Sequence, residues 1–182
     1  GTMSEISIAI TNALLFGAAR LGVNVAEVID AAGLDRERLA DPEGRIGFDE
    51  QMSVWAEAAR RSGDRDFGLH IAESVPVEML GVLAHLTMAC ATLGEALDRY
   101  VEYSRLVDAS SEIHLEDEGG SAHLVLRTTC APWIVPRHVA EGSIGLLFAI
   151  LRRMLGSSMV LEEVGFQHAA PPVTDTHRRL FG

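Results

Sequence analysis

The chain has 182 residues, of which 48% are hydrophobic, so it is long and apolar enough to bury the core of one domain. Its formal net charge is -11, and it therefore lacks the dense cationic surface that nucleic-acid binding requires. The sequence shows no secretory signal and no apolar run of membrane-spanning length, so we expect a cytoplasmic protein without a membrane partner.

The first 108 residues are predicted to be mainly helical. Asn24 and Asp35 are good N-cap residues, and Gly33 is a typical helix end. The segment 78–90 is strongly apolar, so we expect a helix that is buried on most sides. The predicted elements of this half are helices over 4–20, 25–33, 35–39, 49–61 (capped by Asp49), 67–73 and 78–90, with a brief strand or an extended link over 45–48.

The next stretch predicts a capped helix followed by a β-hairpin. Thr92 is a good N-cap, and Glu95 lies three residues later, as in a capping box. Polar and apolar residues then alternate over 112–116 and 123–128, which is the period of a half-buried strand. Gly119-Gly120 supplies the positive φ angles of a tight turn, so the two strands are expected to share one apolar face.

A long helix over 136–155 is predicted to cover this face. Pro136 suits the first turn of a helix, and Gly156 is the expected C-cap. A third strand is predicted over 159–166, and a short helix over 174–181. The expected fold class is therefore α+β, with a helical N-terminal half and a small antiparallel sheet of three or four strands packed by a long helix.

Several stretches together resemble one family of bacterial proteins. They are ARLGVNVAEVIDAAGLDRERLADPEGRIGF at 19–48, WAEAARRSGDRDFGLHIAE at 55–73, LGVLAHLTMACATLGEALDRYVEYSRLV at 80–107, EVGFQHAAP at 163–171 and HRRLFG at 177–182. In order and spacing they resemble the N-terminal, arabinose-binding-like effector domain of AraC/XylS-type transcriptional regulators. The resemblance covers nearly the whole chain.

The resemblance implies a domain that senses a small effector, which we expect to be apolar or amphipathic, and that forms a homodimer. It also implies that DNA is contacted only through a helix-turn-helix domain that this sequence does not include. We interpret residues 1–3 as a cloning scar with the start methionine. The expected single effector-binding domain is 4–182, with a helical part over 4–108 and a sheet-plus-helix part over 109–182.

A second likeness leaves an alternative open. The order of a helical half, a hairpin, a long helix and a strand is similar to haem-based gas sensor domains, so a bound prosthetic group such as haem is the competing function. Fold likeness alone does not carry function. We find no motif that fixes an axial histidine, and we therefore expect no cofactor.

No constellation of catalytic or metal-binding residues is visible, so we predict neither an enzyme nor a metal site. Ser143 lacks the spacing of a nucleophile elbow, and the histidines lack metal-ligand spacing. We instead expect an apolar ligand pocket in which His85 is a polar anchor. Its predicted lining is Trp55, Met79, Leu83, His85, Met88, Tyr103, Trp133 and Phe148.

Overall fold

The computed structural model describes residues 5–130, 134–156 and 159–182, and within them it contains helices and two small antiparallel sheets of two strands each. None of the described helices is long and apolar enough to cross a membrane. In chain order the elements are β1 (Glu5–Ser7), α1 (Ile8–Arg20), α2 (Val25–Ala32), α3 (Arg36–Ala40), β2 (Arg45–Gly47), α4 (Phe48–Ser62), α5 (Phe67–Ser74), a 3₁₀ turn (Val77–Leu80), α6 (Val82–Met88), α7 (Leu93–Val107), β3 (Ser111–Glu118), β4 (Ser121–Thr128), α8 (Arg137–Leu155) and α9 (Asp175–Phe181).

The predicted α+β class is confirmed, and the local capping signals account for several helix starts. The side chains of Asn24, Asp35 and Thr92 each accept a hydrogen bond from a backbone amide in the first turn of α2, α3 and α7. Helix α4 is different, because its N-cap is Gly47 and not the predicted Asp49. Asp49 instead lies in the first turn, where its negative charge faces the positive end of the helix dipole.

Two predictions about the N-terminal half are corrected. The segment 78–90 is not one helix, because Gly81 takes a positive φ of 75° and separates the 3₁₀ turn from α6. It is also not buried on most sides, since Val82 and His85 are exposed. Residues 5–7, predicted as helix, form β1, because this strand pairs antiparallel with β2 through Ile6 and Ile46.

The predicted hairpin is confirmed, and its register defines the two faces. Ile113 pairs with Leu126, and Leu115 pairs with Leu124, so these four side chains share one face. Gly119 and Gly120 have φ angles of 59° and 94°, which match the tight turn between twisted strands. Leu115, Leu124 and Leu126 pack with α7 and α8, so the long helix covers the hairpin as expected.

The predicted third strand is wrong. Residues 159–166 run beside the hairpin without strand pairing, so the described β3–β4 sheet has two strands. Phe166 instead lies against His168 and the α9 residues His177 and Phe181. Its apolar surface is thus partly covered by aromatic contacts in the C-terminal region, and not by a neighbouring strand.

Helix α8 packs very closely against α5 and α4 of the helical half. A Cβ atom at Gly68 of α5 would lie 2.2 Å from the backbone oxygen of His138, and one at Gly142 would lie 2.6 Å from Trp55 Cη2. The amide of Gly68 also donates to His138 Nδ1 at 3.3 Å. Helix α8 therefore lies against both the hairpin and the N-terminal half, and it forms a wall of the cavity between them.

Candidate functional site

A cavity of about 740 Å³ lies between the helical half and the hairpin, within the size range of small-molecule sites. Its walls come from α4, the edge strand β4, the first half of α8 and the segment 165–168. The apolar part of the lining includes Ile6, Ile10, Phe48, Met52, Trp55, Leu124, Val139, Leu146 and Phe166. The cavity therefore offers a mainly apolar enclosure where two halves of the fold meet.

Gln51 is the most deeply buried polar residue of this lining, with 2% of its surface exposed. Its Oε1 accepts a 2.8 Å hydrogen bond from the buried Thr11 hydroxyl. Gln51 lies one helical turn before Trp55 on α4, so both side chains reach the same cavity. Helix α4 thus supplies both an aromatic surface and an amide.

Asp108 contributes a carboxylate at the end of α7, but local donors already surround it. Its Oδ1 accepts from the backbone amide of Ser110 at 2.8 Å and also from the Ser110 hydroxyl. Its Oδ2 accepts from the Ser111 hydroxyl at 2.9 Å. Asp108 therefore closes the turn into β3, and both of its oxygens are engaged within the protein.

A cluster of charged and polar side chains adjoins the cavity. We call it the Glu141 cluster, and it contains Glu141, Arg137, His168 and His177. Glu141 is fully buried, and its Oε1 accepts from Arg137 Nε at 2.6 Å. The same oxygen lies 3.4 Å from His168 Nε2 and 3.1 Å from His177 Nε2. Glu141 Oε2, His168 Nε2 and both ring nitrogens of His177 are buried and have no hydrogen-bond partner among the described residues.

The Glu141 cluster extends to Asp66 and so connects three helices. Arg137 NH2 donates to Asp66 Oδ1, and the Thr176 hydroxyl donates to Asp66 Oδ2, each at 2.8 Å. Burial raises the pKa of Asp66, but the hydrogen bonds from Thr176 and Arg137 together hold that pKa below its ordinary value. The cluster therefore ties α5, α8 and α9 together through charge-assisted bonds.

His138, next to Arg137, responds to the same surroundings. Burial lowers the pKa of its imidazole, and the positive charge of Arg137 lowers it further.

Within residues 5–130, 134–156 and 159–182, no group of three or more His, Cys, Asp or Glu side chains could hold a metal ion.

The residues that were predicted to line one pocket lie in different parts of the structure. Trp55 lines the cavity, and it is the one described member of the predicted set that does so. Leu83 is buried, and Met79 and Met88 pack against the main core. His85, the predicted anchor, is exposed, and its Nδ1 lies 2.8 Å from the Gly81 carbonyl oxygen one turn earlier in the chain.

The remaining aromatic members lie elsewhere. Tyr103 lies beneath the guanidinium of Arg99, 5.9 Å from ring centroid to Cζ. Phe148 packs against Phe181 of α9, with ring centroids 5.7 Å apart. Trp133 lies outside the described residues, so its predicted place at the cavity stays a prediction.

Sequence reasoning missed Gln51 and Glu141. Gln51 shares a helical face with Trp55, a spacing of four that could have identified it. Glu141 precedes the buried Phe148 by seven residues, so it falls on the apolar face of α8. A carboxylate at a position on the apolar face of a helix indicates that the side chain is buried and paired with a cation.

The comparisons with known proteins identify the family of this chain. The family described as "Arabinose-binding domain of AraC transcription regulator, N-term" matches residues 22–182. The chain belongs to this family. It is also 26% identical, over 181 residues, to an "Ornithine utilization regulator" of Pseudomonas aeruginosa, which covers all of this chain. The chain spans 53% of the length of that relative. The resemblance to AraC-type regulators is thereby confirmed, and the matched family is one of transcription-regulator domains.

Proposed function

We propose that this domain senses a small, amphipathic effector, which binds in the cavity between α4, β4 and α8. The observation that supports the proposal most directly is an apolar enclosure of about 740 Å³ that contains the buried amide of Gln51. Small-molecule sites combine such apolar walls with a few fixed polar groups. The family match supports a sensing role, since AraC-type regulators carry this domain at their N-terminus.

The regulatory role follows from linkage. An effector biases an attached DNA-binding unit when it has different affinities for two conformations of the sensor. We propose that residues 4–182 are one effector-binding domain, that it forms a homodimer in the cytoplasm, and that DNA is bound by a helix-turn-helix domain outside this chain. The shared family and the length of the Pseudomonas relative support this arrangement.

The cavity is tested with the neutral dye N-phenyl-1-naphthylamine, whose fluorescence rises in apolar sites. We expect the dye to bind the wild type and to be displaced by the effector when metabolites are screened. The screen includes L-ornithine, because the relative is named for ornithine utilization. Ser143 lines the cavity, so Ser143→Phe should fill the space and weaken dye binding. Glu102→Phe, on the exposed side of α7, should leave it unchanged.

Two further measurements test the rest of the proposal. Native mass spectrometry of the purified chain reads the number of subunits and the mass of any retained small molecule. An absorption spectrum of the same sample tests the alternative function, a prosthetic-group sensor. A Soret band would show bound haem, and the proposal of an exchangeable effector would then give way to that of a haem-binding sensor. Equal dye binding by the wild type and Ser143→Phe would refute the cavity as the binding site.

A further inference from the structure

We propose that the effector is a short apolar peptide, which binds as an added strand along the outer edge of β4. This inference rests on the proposed function, because it names the chemical class of the guest for the same cavity. The groups that would bind the peptide are backbone N–H and C=O groups of β4, and their directions follow from the register of the hairpin.

The outer edge of β4 presents backbone groups at every second residue. The amide of Thr129 donates to the carbonyl oxygen of Ser110 at 2.8 Å, so these two residues form a hydrogen-bonded pair of the antiparallel ladder. Such pairs recur at every second position, and the register therefore turns the backbone groups of Arg127 and Val125 toward β3. The residues between them point their N–H and C=O groups away from β3. These residues are Leu124, Leu126 and Thr128.

These outward groups have no hydrogen-bond partner within the part of the chain that the structure describes. In the described sheet, β4 pairs with β3 and with no other strand. No backbone hydrogen bond between described residues outside the helices and strands involves Leu124, Leu126 or Thr128. An unpaired strand edge is a template for another extended chain, because its donors and acceptors alternate as those of a peptide do.

This unpaired edge borders the cavity. The consecutive β4 residues 124–128 all line it, whereas Ser111 is the one residue of the described β3 that does so. Successive side chains of a strand point to opposite faces, so a single face could contribute only every second residue. An unbroken run of lining residues therefore indicates that β4 meets the cavity with its edge, where the backbone is accessible.

The surroundings of the edge limit the size of the guest. Helix α8 and the segment 165–168 also line the cavity, and the enclosed volume is about 740 Å³. The edge from Leu124 to Thr128 is about 14 Å long at the rise of an antiparallel strand, which corresponds to a peptide of about four residues. Such a volume is typical of small-molecule sites, so the enclosure favours a free peptide over a strand of another protein.

The walls favour apolar side chains and neutral amides on the guest. Trp55 is 6% exposed, and it lines the cavity together with Val139 and Leu146. Gln51 Oε1 accepts from the Thr11 hydroxyl, while Gln51 Nε2 has no partner among the described residues and can donate to a peptide carbonyl oxygen. The strand edge and Gln51 are both uncharged, so they match the amide groups of a peptide.

The first test is competition with bound N-phenyl-1-naphthylamine. The competitors are acetyl-Ala-Leu-Ala-amide and its ester analogue, in which oxygen atoms replace the N–H groups between the residues. We expect the peptide to displace the dye from the wild type at a concentration about fivefold lower than the ester, the effect of one backbone hydrogen bond. Gln51→Met should weaken peptide binding by about fivefold, since one donor is lost. Glu102→Met, on the exposed side of α7, is the matched control and should leave it unchanged.

The second test is amide hydrogen exchange measured by nuclear magnetic resonance, which locates the peptide on the strand without any substitution. The amides of Val125 and Arg127 face β3, so their exchange should be slow with or without the peptide. The amides of Leu124 and Leu126 face outward, and saturating peptide should slow their exchange at least tenfold. This alternation within one strand distinguishes edge pairing from a general stabilisation of the fold.

Equal displacement by the peptide and the ester, no displacement by the peptide, or unchanged exchange at Leu124 and Leu126 would each overturn the inference. Slow exchange of these two amides in the free protein would also overturn it. Loss of that protection on dilution would assign the edge to a second copy of the chain, and its persistence would assign the edge to a segment of the same chain. In all these cases dye binding that Ser143→Phe abolishes would leave the proposed function standing. Failure of the dye to bind would remove the proposed function itself.

Discussion

Removal of the buried carboxylate of Glu141 should destabilise the fold more than any change of a surface charge. Glu141 is fully buried, and Arg137 Nε lies 2.6 Å from its Oε1. Loss of one partner of a buried ion pair costs about 3–5 kcal/mol, because the other charge stays buried without compensation. Arg137 keeps Asp66 at 2.8 Å, so we expect the lower end, about 3 kcal/mol, for Glu141→Leu.

The assay is urea unfolding followed by far-ultraviolet circular dichroism, with the free energy obtained by linear extrapolation. Glu102→Leu is the matched control, since Glu102 is an exposed helical residue and its replacement should change stability by less than about 0.5 kcal/mol. The double variant Arg137→Met/Glu141→Leu should be less destabilised than the sum of its single variants, because no unpaired charge remains at that pair.

This reasoning would be refuted by a loss below about 1 kcal/mol in Glu141→Leu, since the ion pair would then contribute no more than an exposed one. The reasoning would also be contradicted if the loss of unfolding free energy in the double variant equalled the sum of the losses in the two single variants. Such additivity would mean that Arg137 and Glu141 act independently despite the 2.6 Å contact between them.

Four further predictions concern the scaffold. Gly68→Ala should destabilise the fold by about 1–3 kcal/mol or more in urea unfolding, because its Cβ would lie 2.2 Å from the backbone oxygen of His138. Gly94→Ala, in an open position of α7, should stabilise it by about 0.5–1 kcal/mol. Thr92→Ala should cost about 1 kcal/mol through loss of the α7 cap, and an unchanged melting temperature would contradict this. Asp66 has a lowered pKa, so its contribution is present above about pH 4 and is lost as the pH falls through the folded-state pKa. Asp66→Asn should therefore give a shallower acid-unfolding curve than the wild type.

The parts of the fold that were predictable from the sequence depend on local chemistry. The hairpin was identified correctly because its alternation and its two glycines lie within 18 residues of one another, from Ser111 to Thr128. The cap of α7 was equally readable, since Thr92 accepts from the amide of Glu95 three residues later. In both cases the interacting groups are close in sequence, so a pattern of residue types is sufficient.

Predictions failed where a single glycine changes the direction of the backbone or where distant contacts decide the structure. The apolar content of 78–90 predicted a single helix, but Gly81 interrupts it. The apolar residues between Met159 and Phe166 predicted a strand, yet Phe166 packs on α9. The cavity was the hardest feature to predict, because Trp55, Arg127 and Ser143 come from three elements far apart in the chain. Their common wall depends on how α8 packs between the hairpin and α4.

The cavity and the attachment of the C-terminal helix share one segment of the chain. Residues 165–168 line the cavity, and His168 within that segment lies 3.4 Å from Glu141. The same carboxylate lies 3.1 Å from His177 on α9, and Asp66 joins α9 through Thr176. Because packed interiors have few empty spaces, a displacement of His168 must alter the contacts of Glu141. The position of α9 and the shape of the cavity wall are therefore determined by the same buried side chains.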